Sequence, residues 1–244
     1  GTVLRQDVDF KVSGGQLQSV FAGSGDKVDP NFNPGTGEDF SGLSTMVLQR
    51  DGKILIGGYF QSWAGHPVGY IARLNPDGSV DATFSLAADA PVTKLFVQAN
   101  GKILVAGGFA YFGDQTRNRI ARLNADGTLD TSFNPGCSDH ADNLSFVEQP
   151  DGKILVVGNF NELAGQPIKA IGRLNADGTL DTGFDAKVGN GDLLAAALQA
   201  DGKILVSGYV FDYNGVSPPG WMVRLNPDGS RDTTYDPQID WPPS

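Results

Sequence analysis

Residues Asp51-Gly-Lys-Ile-Leu-Ile-Gly-Gly58 form a string that decides the fold of this chain of 244 residues, because the string is repeated. Three later copies begin at Asn100, Asp151 and Asp201, at steps of 49, 51 and 50 residues. Self-similarity at a fixed period of roughly 20–50 residues is typical of solenoids, propellers and repeat arrays. The sequence therefore predicts a repeat architecture.

A second string follows each copy of the first, and in its first occurrence it reads Arg73-Leu-Asn-Pro-Asp-Gly-Ser-Val-Asp81. An aromatic residue stands three positions after its last Asp in every copy: Phe84, Phe133, Phe184 and Tyr235. Phe32 stands in the same relation to Asp29, which indicates a fifth, shorter unit at the N-terminus. We expect one domain over 1–244, with units at approximately 1–34, 35–84, 85–135, 136–186 and 187–236 and a tail at 237–244.

Within a unit, short β-prone stretches alternate with Asp-Gly turns, as at 46–49, 53–56, 70–74 and 79–84. Glycine accounts for 33 residues, about twice the roughly 7% usual in soluble proteins, which favours many tight turns. Helical periodicity is absent almost throughout. We predict an all-β fold, a five-bladed β-propeller of four-stranded antiparallel blades, because radial repetition protects the sheet edges.

The repeated strings resemble the delta-60 repeat family of bacterial β-propellers and, more distantly, kelch blades with their Gly-Gly doublet. The residues that carry the resemblance are Asp-Gly-Lys-Ile-Leu-Val-x-Gly-Gly-x-Phe and Ile-Ala-Arg-Leu-Asn-x-Asp-Gly-x-Leu-Asp-x-x-Phe, over 35–236. The resemblance implies a secreted or cell-surface bacterial protein of mostly unassigned function. It brings no catalytic residues with it.

The charge balance excludes some partners. The chain has 18 Lys and Arg against 28 Asp and Glu, a net charge of −10, which argues against nucleic acid because that affinity depends on basic residues. No run reaches the roughly 20 apolar residues of a membrane-spanning helix, so membrane insertion is not expected. The single cysteine, Cys137, permits neither an intrachain disulfide nor a cysteine-based zinc site. We expect no cofactor.

The Asn-Pro-Asp-Gly turn at 75–78 would place Arg73 opposite Asp81 as a cross-strand ion pair. A pair that recurs in four units has a structural rather than a catalytic role. The same turn supplies several hard oxygens, so calcium is an open alternative. It fits poorly, because calcium takes about 6–8 oxygen ligands and the bidentate Glu of an EF-hand is missing. We expect no metal.

In such a meander the tight Asp-Gly turns share one face. The long loops that join strands 2 and 3, and strand 4 to the next unit, share the other, which we call the variable loop face. Binding residues concentrate on loops held by rigid scaffolds. The candidate ligand-binding residues there are Trp63, His66, Tyr111, Phe112, Asp114, Asp139, His140, Phe211, Tyr213 and Trp221. For each aromatic residue, packing between blades is the alternative.

Three classes of function fit these observations. We expect a non-catalytic module that binds a glycan or a protein, present as a monomeric domain within a larger secreted or surface protein. A structural spacer is the main alternative, and a glycoside hydrolase with two carboxylates is a less favoured one. No Ser, His and Asp set can be placed around His66 and His140, which are the two histidines, so we expect no enzyme.

Overall fold

The computed structural model describes residues 8–13, 16–21, 32–34, 42–138, 142–213 and 222–235, and every regular element in these ranges is a β-strand. The strands are β1 Val8–Ser13, β2 Gln16–Phe21, β3 Leu43–Leu48, β4 Ile54–Gly58, β5 Ser62–Trp63, β6 His66–Pro67, β7 Ile71–Leu74, β8 Val92–Val97, β9 Ile103–Gly107, β10 Tyr111–Phe112, β11 Gln115–Thr116, β12 Ile120–Leu123, β13 Asp142–Glu148, β14 Ile154–Asn159, β15 Ile171–Leu174, β16 Val188–Leu198, β17 Ile204–Tyr213 and β18 Met222–Leu225. The all-β prediction is confirmed.

Each of the four later units forms a three-stranded antiparallel sheet: β3-β4-β7, β8-β9-β12, β13-β14-β15 and β16-β17-β18. The middle strand of each sheet is the apolar part of the first repeated string. In the first unit, β1 and β2 form an antiparallel hairpin that pairs Ser13 with Gln16. The main sheets therefore follow the repeat, and the second and third units add the small two-stranded sheets β5-β6 and β10-β11.

The predicted fourth strand, 79–84 in the second unit, is reduced to a single bridge between Leu74 and Val80. Equivalent bridges recur in the three later units. The cause is Asp81, whose carboxylate accepts hydrogen bonds from the backbone N–H and the hydroxyl of Thr83 at 3.0 and 2.6 Å. A side chain that captures the following backbone diverts the chain from the ladder into a turn. The four-stranded blade is therefore not confirmed, since the described sheets have two or three strands.

The predicted ion pair between Arg73 and Asp81 is confirmed, with 2.7 Å from Arg73 Nε to Asp81 Oδ2. The structure adds a second cation, because Lys53 Nζ lies 2.7 Å from the same oxygen. Both side chains of the Arg73–Asp81 pair are buried. The Lys of the first repeated string and the Arg and Asp of the second thus form one network, which recurs as Lys102–Asp130–Arg122, Lys153–Asp181–Arg173 and Lys203–Asp232–Arg224.

The same arginines join consecutive units. Arg73 Nη1 donates to the carbonyl of Asp126, in the turn of the third unit, at 2.7 Å. Arg122 and Arg173 make similar bonds to the turns of the fourth and fifth units at 2.6 Å, but their acceptors, Ala176 O and Pro227 O, lie one position earlier in the turn. Each guanidinium also lies over the aromatic residue that closes its own unit, and the Arg122 carbon lies 4.0 Å from the Phe133 ring centroid. One side chain therefore holds its own hairpin together and docks it on the next.

The closing aromatic residues explain why the turn of the next unit contains glycine. A Cβ on Gly127 would lie 2.6 Å from the Phe84 ring, and φ at Gly127 is +93°. Phe32 is buried, and the chain directly after it meets the turn of the second unit, since a Cβ on Gly78 would lie 2.7 Å from Asn33 C and from Pro34 N. The Asn33 N–H also donates to Asp77 O at 2.8 Å. Residues 32–34 therefore pack on the turn of the second unit.

The core is divided into clusters that each span two consecutive units. In β4, Ile54 and Ile56 join a cluster with Phe32, whereas Leu55 joins the cluster of the third unit. Both faces of the middle strand are thus buried, which is why it reads as a continuous apolar run. Burial of one such side chain contributes about 1.5–3 kcal/mol. The units therefore stabilise one another through their middle strands.

Replacement of Arg122 by Ala tests the network. We expect the free energy of unfolding to fall by about 3 kcal/mol or more, because buried Asp130 loses one of its two cations and the bond to Ala176 O disappears. Urea unfolding followed by circular dichroism measures the change. Arg122→Lys should recover only part of it, since one ammonium lacks the planar fork of donors. A loss below about 0.5 kcal/mol for Arg122→Ala would contradict this role.

The network also predicts a dependence of stability on acid. Hydrogen bonds from Lys153, Gly183 and Arg173 lower the pKa of Asp181 to about 2, although burial opposes them. A depressed carboxyl pKa contributes stability above the unfolded value of about 3.9 and loses it as the pH falls towards the folded value. The difference in unfolding free energy between the natural chain and Asp181→Asn should therefore shrink between pH 5 and about 2. Urea titrations across this range would contradict the prediction if the difference stayed constant.

Candidate functional site

One end of the sheets is built from nearly identical turns. Within the second unit, Gly52 N–H donates to Gln49 O at 3.0 Å and Gly78 N–H donates to Asn75 O at 2.9 Å. The two turns touch, since a Cβ on Gly52 would lie 3.3 Å from Pro76. The same pair of turns meets in each of the three later units. The prediction that the tight turns share one face is confirmed.

The carboxylates of this end are engaged within their own turns. Asp77 Oδ1 accepts hydrogen bonds from the hydroxyl and the backbone N–H of Ser79 at 2.7 and 2.9 Å, and these bonds lower the pKa of Asp77. Asp126, Asp177 and Asp228 repeat this arrangement. In the part of the chain that the structure describes, no three His, Cys, Asp or Glu side chains are grouped closely enough to hold a metal ion.

The opposite end is the variable loop face, where the second, third and fourth units each have a short hairpin between the second and third strands of the sheet. In the second unit β5 and β6 pair Trp63 with His66, and the turn Ala64-Gly65 has positive φ at both residues, +48° and +77°. The hairpin β10–β11 occupies the same place in the third unit. In the fourth, a bridge joins Leu163 and Gln166. The same backbone arrangement thus carries different side chains in these three units.

These hairpins are fixed to the segment that enters the unit. In the third unit, Ala88 bridges to Phe112, and Asp89 Oδ1 accepts from the N–H groups of Ala110 and Tyr111 at 3.0 Å each. In the fourth unit, Cys137 bridges to Leu163. The variable loop face is therefore held by hydrogen bonds before any ligand arrives.

Two residues that the sequence suggested for ligand contact are core residues instead. Trp63 is 2% exposed, donates its indole N–H to Pro34 O at 3.0 Å and packs edge-on against Phe60. Phe112 is 0% exposed and packs edge-on against Phe109. Both rings fill the space beneath their hairpins, so a ligand at the surface does not reach them. For Trp63 and Phe112 the interpretation as binding residues is wrong, and the packing alternative holds.

Other predicted residues do lie at the surface. His66 and Asp114 are exposed, and Tyr111, the first residue of its hairpin, is 51% exposed. The remaining candidates are not placed. Asp139, His140 and Trp221 lie outside the described residues, and for Phe211 and Tyr213 the backbone of β17 is described but the side chains are not.

The structure adds aromatic candidates that sequence reasoning missed. Tyr59 is 52% exposed directly after β4, and Tyr209 is 45% exposed within β17, where it pairs with Asp192. The two occupy the same position of the repeat, directly after Gly58 and Gly208. Alignment of the units gave the signal, since an aromatic residue stands there in two units and Gly108 or Asn159 in the others.

Two further side chains on this face are buried. Burial raises the pKa of the Cys137 thiol to about 12, so this thiol stays protonated and is a poor nucleophile. Arg117 is 3% exposed and donates to the carbonyl oxygens of Thr116 and Thr131 at 2.7 and 3.3 Å. It takes the repeat position that Val68 and Ile168 hold in the neighbouring units. Both residues are buried beneath the loops and have a structural role.

A cavity of about 250 Å³ opens on the variable loop face, at the boundary between the fourth and fifth units. Its walls are the loop at 167–169 and the connection at 185–188, and Ile171 and Phe184 lie below.

The described part of the chain has no helix that could span a membrane.

The structure is similar to the WD40 β-propeller domain of Doa1, at 14% identity and a TM-score of 0.53. The match covers 84% of this chain but 59% of the Doa1 structure. A protein of unknown function from Bacteroides caccae matches at 14% identity and a TM-score of 0.34, covering 79% of this chain and 82% of that one. No curated protein matches the chain significantly.

A family model described as a domain of unknown function, DUF5122, β-propeller, matches the chain four times. The matched residues are 49–84, 98–133, 149–184 and 199–235. They contain both repeated strings and the aromatic residue that closes each unit. Since these matches cover more than half of the sequence, the chain belongs to the DUF5122 β-propeller family, which is known as the delta-60 repeat family.

Proposed function

We propose that this domain is a non-catalytic binding propeller, which recognises a glycan or a protein through its variable loop face within a secreted or surface protein of a bacterium. The observation that carries the proposal is the asymmetry between the two ends of the sheets. One end repeats the same hydrogen-bonded turns, whereas at the other end the hairpins of the second, third and fourth units carry different side chains. A spacer has no need of such one-sided variation.

The exposed groups suit recognition. Tyr59, Tyr111 and Tyr209 each offer a ring and a hydroxyl, the combination that stacks on sugar rings and anchors protein interfaces. His66 and Asp114 add exposed hydrogen-bonding groups on the hairpins of the second and third units. Because the hairpins are already fixed to their entering segments, binding orders little additional backbone, which reduces its entropic cost.

The absence of catalysis is part of the proposal. The repeated carboxylates are bound to two cations each, and the Cys137 thiol is buried and protonated. Neither arrangement suits a general acid, a general base or a nucleophile. The glycoside hydrolase alternative requires two carboxylates about 5–9.5 Å apart on either side of a sugar bond. Turnover of a chromogenic glycoside by the purified domain would support that alternative.

Binding by the loop face is tested with the purified chain on a glycan array and on whole bacterial cells. We expect binding, and we expect Tyr59→Ala, Tyr111→Ala and Tyr209→Ala together to weaken it at least about tenfold, which corresponds to about 1.4 kcal/mol. The matched control is Ala125→Gln with Ala176→Gln, exposed at the opposite end. If the control lost binding and the tyrosine variant retained it, the ligand would bind at the end with the repeated turns, which would contradict the proposal. A chain that binds nothing in either assay favours the spacer.

We further propose that the chain forms a five-bladed ring, in which the one-residue bridges mark the fourth strand of each blade. Arg224 supports closure. In the second to fourth units the arginine of the second repeated string donates to the turn of the next unit. Arg224 pairs with Asp232, but its side chain is 21% exposed, and it has no next turn among the described residues. The turn of the first unit would supply the missing acceptor.

Arg224→Ala compared with Arg122→Ala tests this ring. If the ring closes on the first unit, we expect the two substitutions to lower the unfolding free energy by similar amounts, because each removes one bond between units. Urea unfolding of both variants provides the measurement. A loss for Arg224→Ala that is smaller by about 1 kcal/mol, the usual contribution of a hydrogen bond, would indicate an open array.

A further inference from the structure

Three side chains meet on the variable loop face of the second unit: Tyr59, Gln61 and Tyr70. Phe60 is buried, whereas its two neighbours Tyr59 and Gln61 are exposed. Tyr70 lies opposite Tyr59 on the adjacent segment. Its N–H donates to Phe60 O at 2.8 Å, and its carbonyl accepts from the Gly58 N–H at 3.2 Å. We call these three side chains the second-unit patch.

The side chains of the second-unit patch share one face. Residues that lie directly opposite each other in an antiparallel pair have neighbouring side chains. Gly108 and Arg119 take the places of Tyr59 and Tyr70 in the third unit. There, a Cβ on Gly108 would lie 3.7 Å from Arg119 Nη1, so the two positions face each other. Gln61 joins the pair, because its Nε2 donates to the Tyr70 hydroxyl at 2.6 Å.

The fold does not require these three side chains. The N–H groups of Arg119 and Ala170, at the position of Tyr70, donate to Phe109 O and Phe160 O at 2.9 and 3.0 Å. All three residues have positive φ, which a bulky side chain such as tyrosine rarely adopts. The third and fourth units have other side chains at the three positions: Gly108, Ala110 and Arg119, and Asn159, Asn161 and Ala170. Among these units the patch is specific to the second, as expected of a binding site.

The hydrogen bond between Gln61 and Tyr70 leaves complementary groups at the surface. The Tyr70 oxygen accepts from Gln61, so its O–H can donate to a ligand, and Gln61 Oε1 can accept from one. The Tyr70 ring packs partly against the core cluster of the third unit, which fixes the position of its hydroxyl. The second-unit patch therefore presents one donor and one acceptor side by side.

The Tyr59 ring supplies an apolar face beside this pair. The residue is 52% exposed, so a ligand can reach the ring whatever contacts its other atoms make. A sugar has the matching surface, since its C–H groups can lie on an aromatic face while neighbouring hydroxyl groups each donate and accept. None of the three side chains is charged, so the patch suits a neutral ligand.

We propose that the second-unit patch binds a neutral sugar of a glycan, with the apolar side of the sugar on Tyr59. Two neighbouring hydroxyl groups of the sugar then bind the Tyr70 O–H and Gln61 Oε1. This inference rests on the proposed function and selects a glycan rather than a protein as the ligand at this place. One sugar on an exposed patch binds weakly, and linked contacts along the loop face raise the affinity.

Nuclear magnetic resonance of the ¹⁵N-labelled full chain tests the proposal. The probes are the methyl glycosides of glucose, galactose, mannose and N-acetylglucosamine. We expect at least one of them to bind saturably, with a Kd of about 1–10 mM, and to shift the side-chain amide signals of Gln61. Absence of saturable shifts for all four probes would overturn the proposal. Saturable shifts that leave the Gln61 amide unchanged would also overturn it.

Variants of the patch complete the test. Tyr70→Phe removes the hydroxyl but keeps the ring against its cluster, so the thermal unfolding midpoint should change little. Tyr70→Phe and Gln61→Ala should each weaken the sugar about tenfold. The matched control is Asn161→Ala, at the position of Gln61 in the fourth unit, which should leave the affinity unchanged. Unchanged affinity in both patch variants would overturn the site.

The glycan array separates this site from the proposed function. If Tyr70→Phe and Gln61→Ala bind the array as well as the natural chain does, the second-unit patch is not the site and the proposed function stands. If the chain binds no glycan and loses its binding to bacterial cells after protease treatment of the cells, the ligand is a protein. That result would overturn the ligand class proposed here while leaving a binding function in place.

Discussion

A buried carboxylate with two cations is the interaction on which the rest of the structure depends. Asp130 accepts from Arg122, in the third strand of its sheet, and from Lys102, in the turn between the first and second strands, so it ties these two segments together. Arg122 has donors left over, and one of them reaches Ala176 O in the next unit. Burial would be costly for either charge alone. The network therefore fixes the geometry inside a unit and the spacing between units at once.

Packing follows from that spacing. Because each unit is held at a set distance, the middle strand has neighbours on both faces, as when Leu104 and Val105 enter different clusters. Stability in such an array is approximately a sum of unit terms and nearest-neighbour terms. The interior units have neighbours on both sides, so they gain most. The ends of the array depend on whether the first and fifth units meet.

The sequence predicted what the repeat itself encodes. The period gave the units, and the spacing of Arg73 and Asp81 gave their ion pair, since a tight turn leaves one register. It did not predict that the fourth strand is reduced to a one-residue bridge. The β-prone residues at 79–84 indicate a strand, whereas the Thr83 N–H donates to the Asp81 carboxylate and turns the chain away from the sheet. The sequence also did not predict that Trp63 is buried whereas Tyr111 is exposed. An aromatic residue in a hairpin faces the core or the solvent according to register, which composition does not reveal.

The network also frees the opposite end of the sheets to vary. The charged groups of the network lie at the end with the repeated turns, and so do the glycine contacts between units. A substitution in a hairpin therefore leaves them intact. The fourth unit illustrates the consequence, because lysines at the positions of Gly69 and Ala87 accompany a cavity and an unchanged Arg173–Asp181 pair. The variable loop face can therefore differ from unit to unit while the packing between units stays the same. A face of this kind is what the proposed binding function requires.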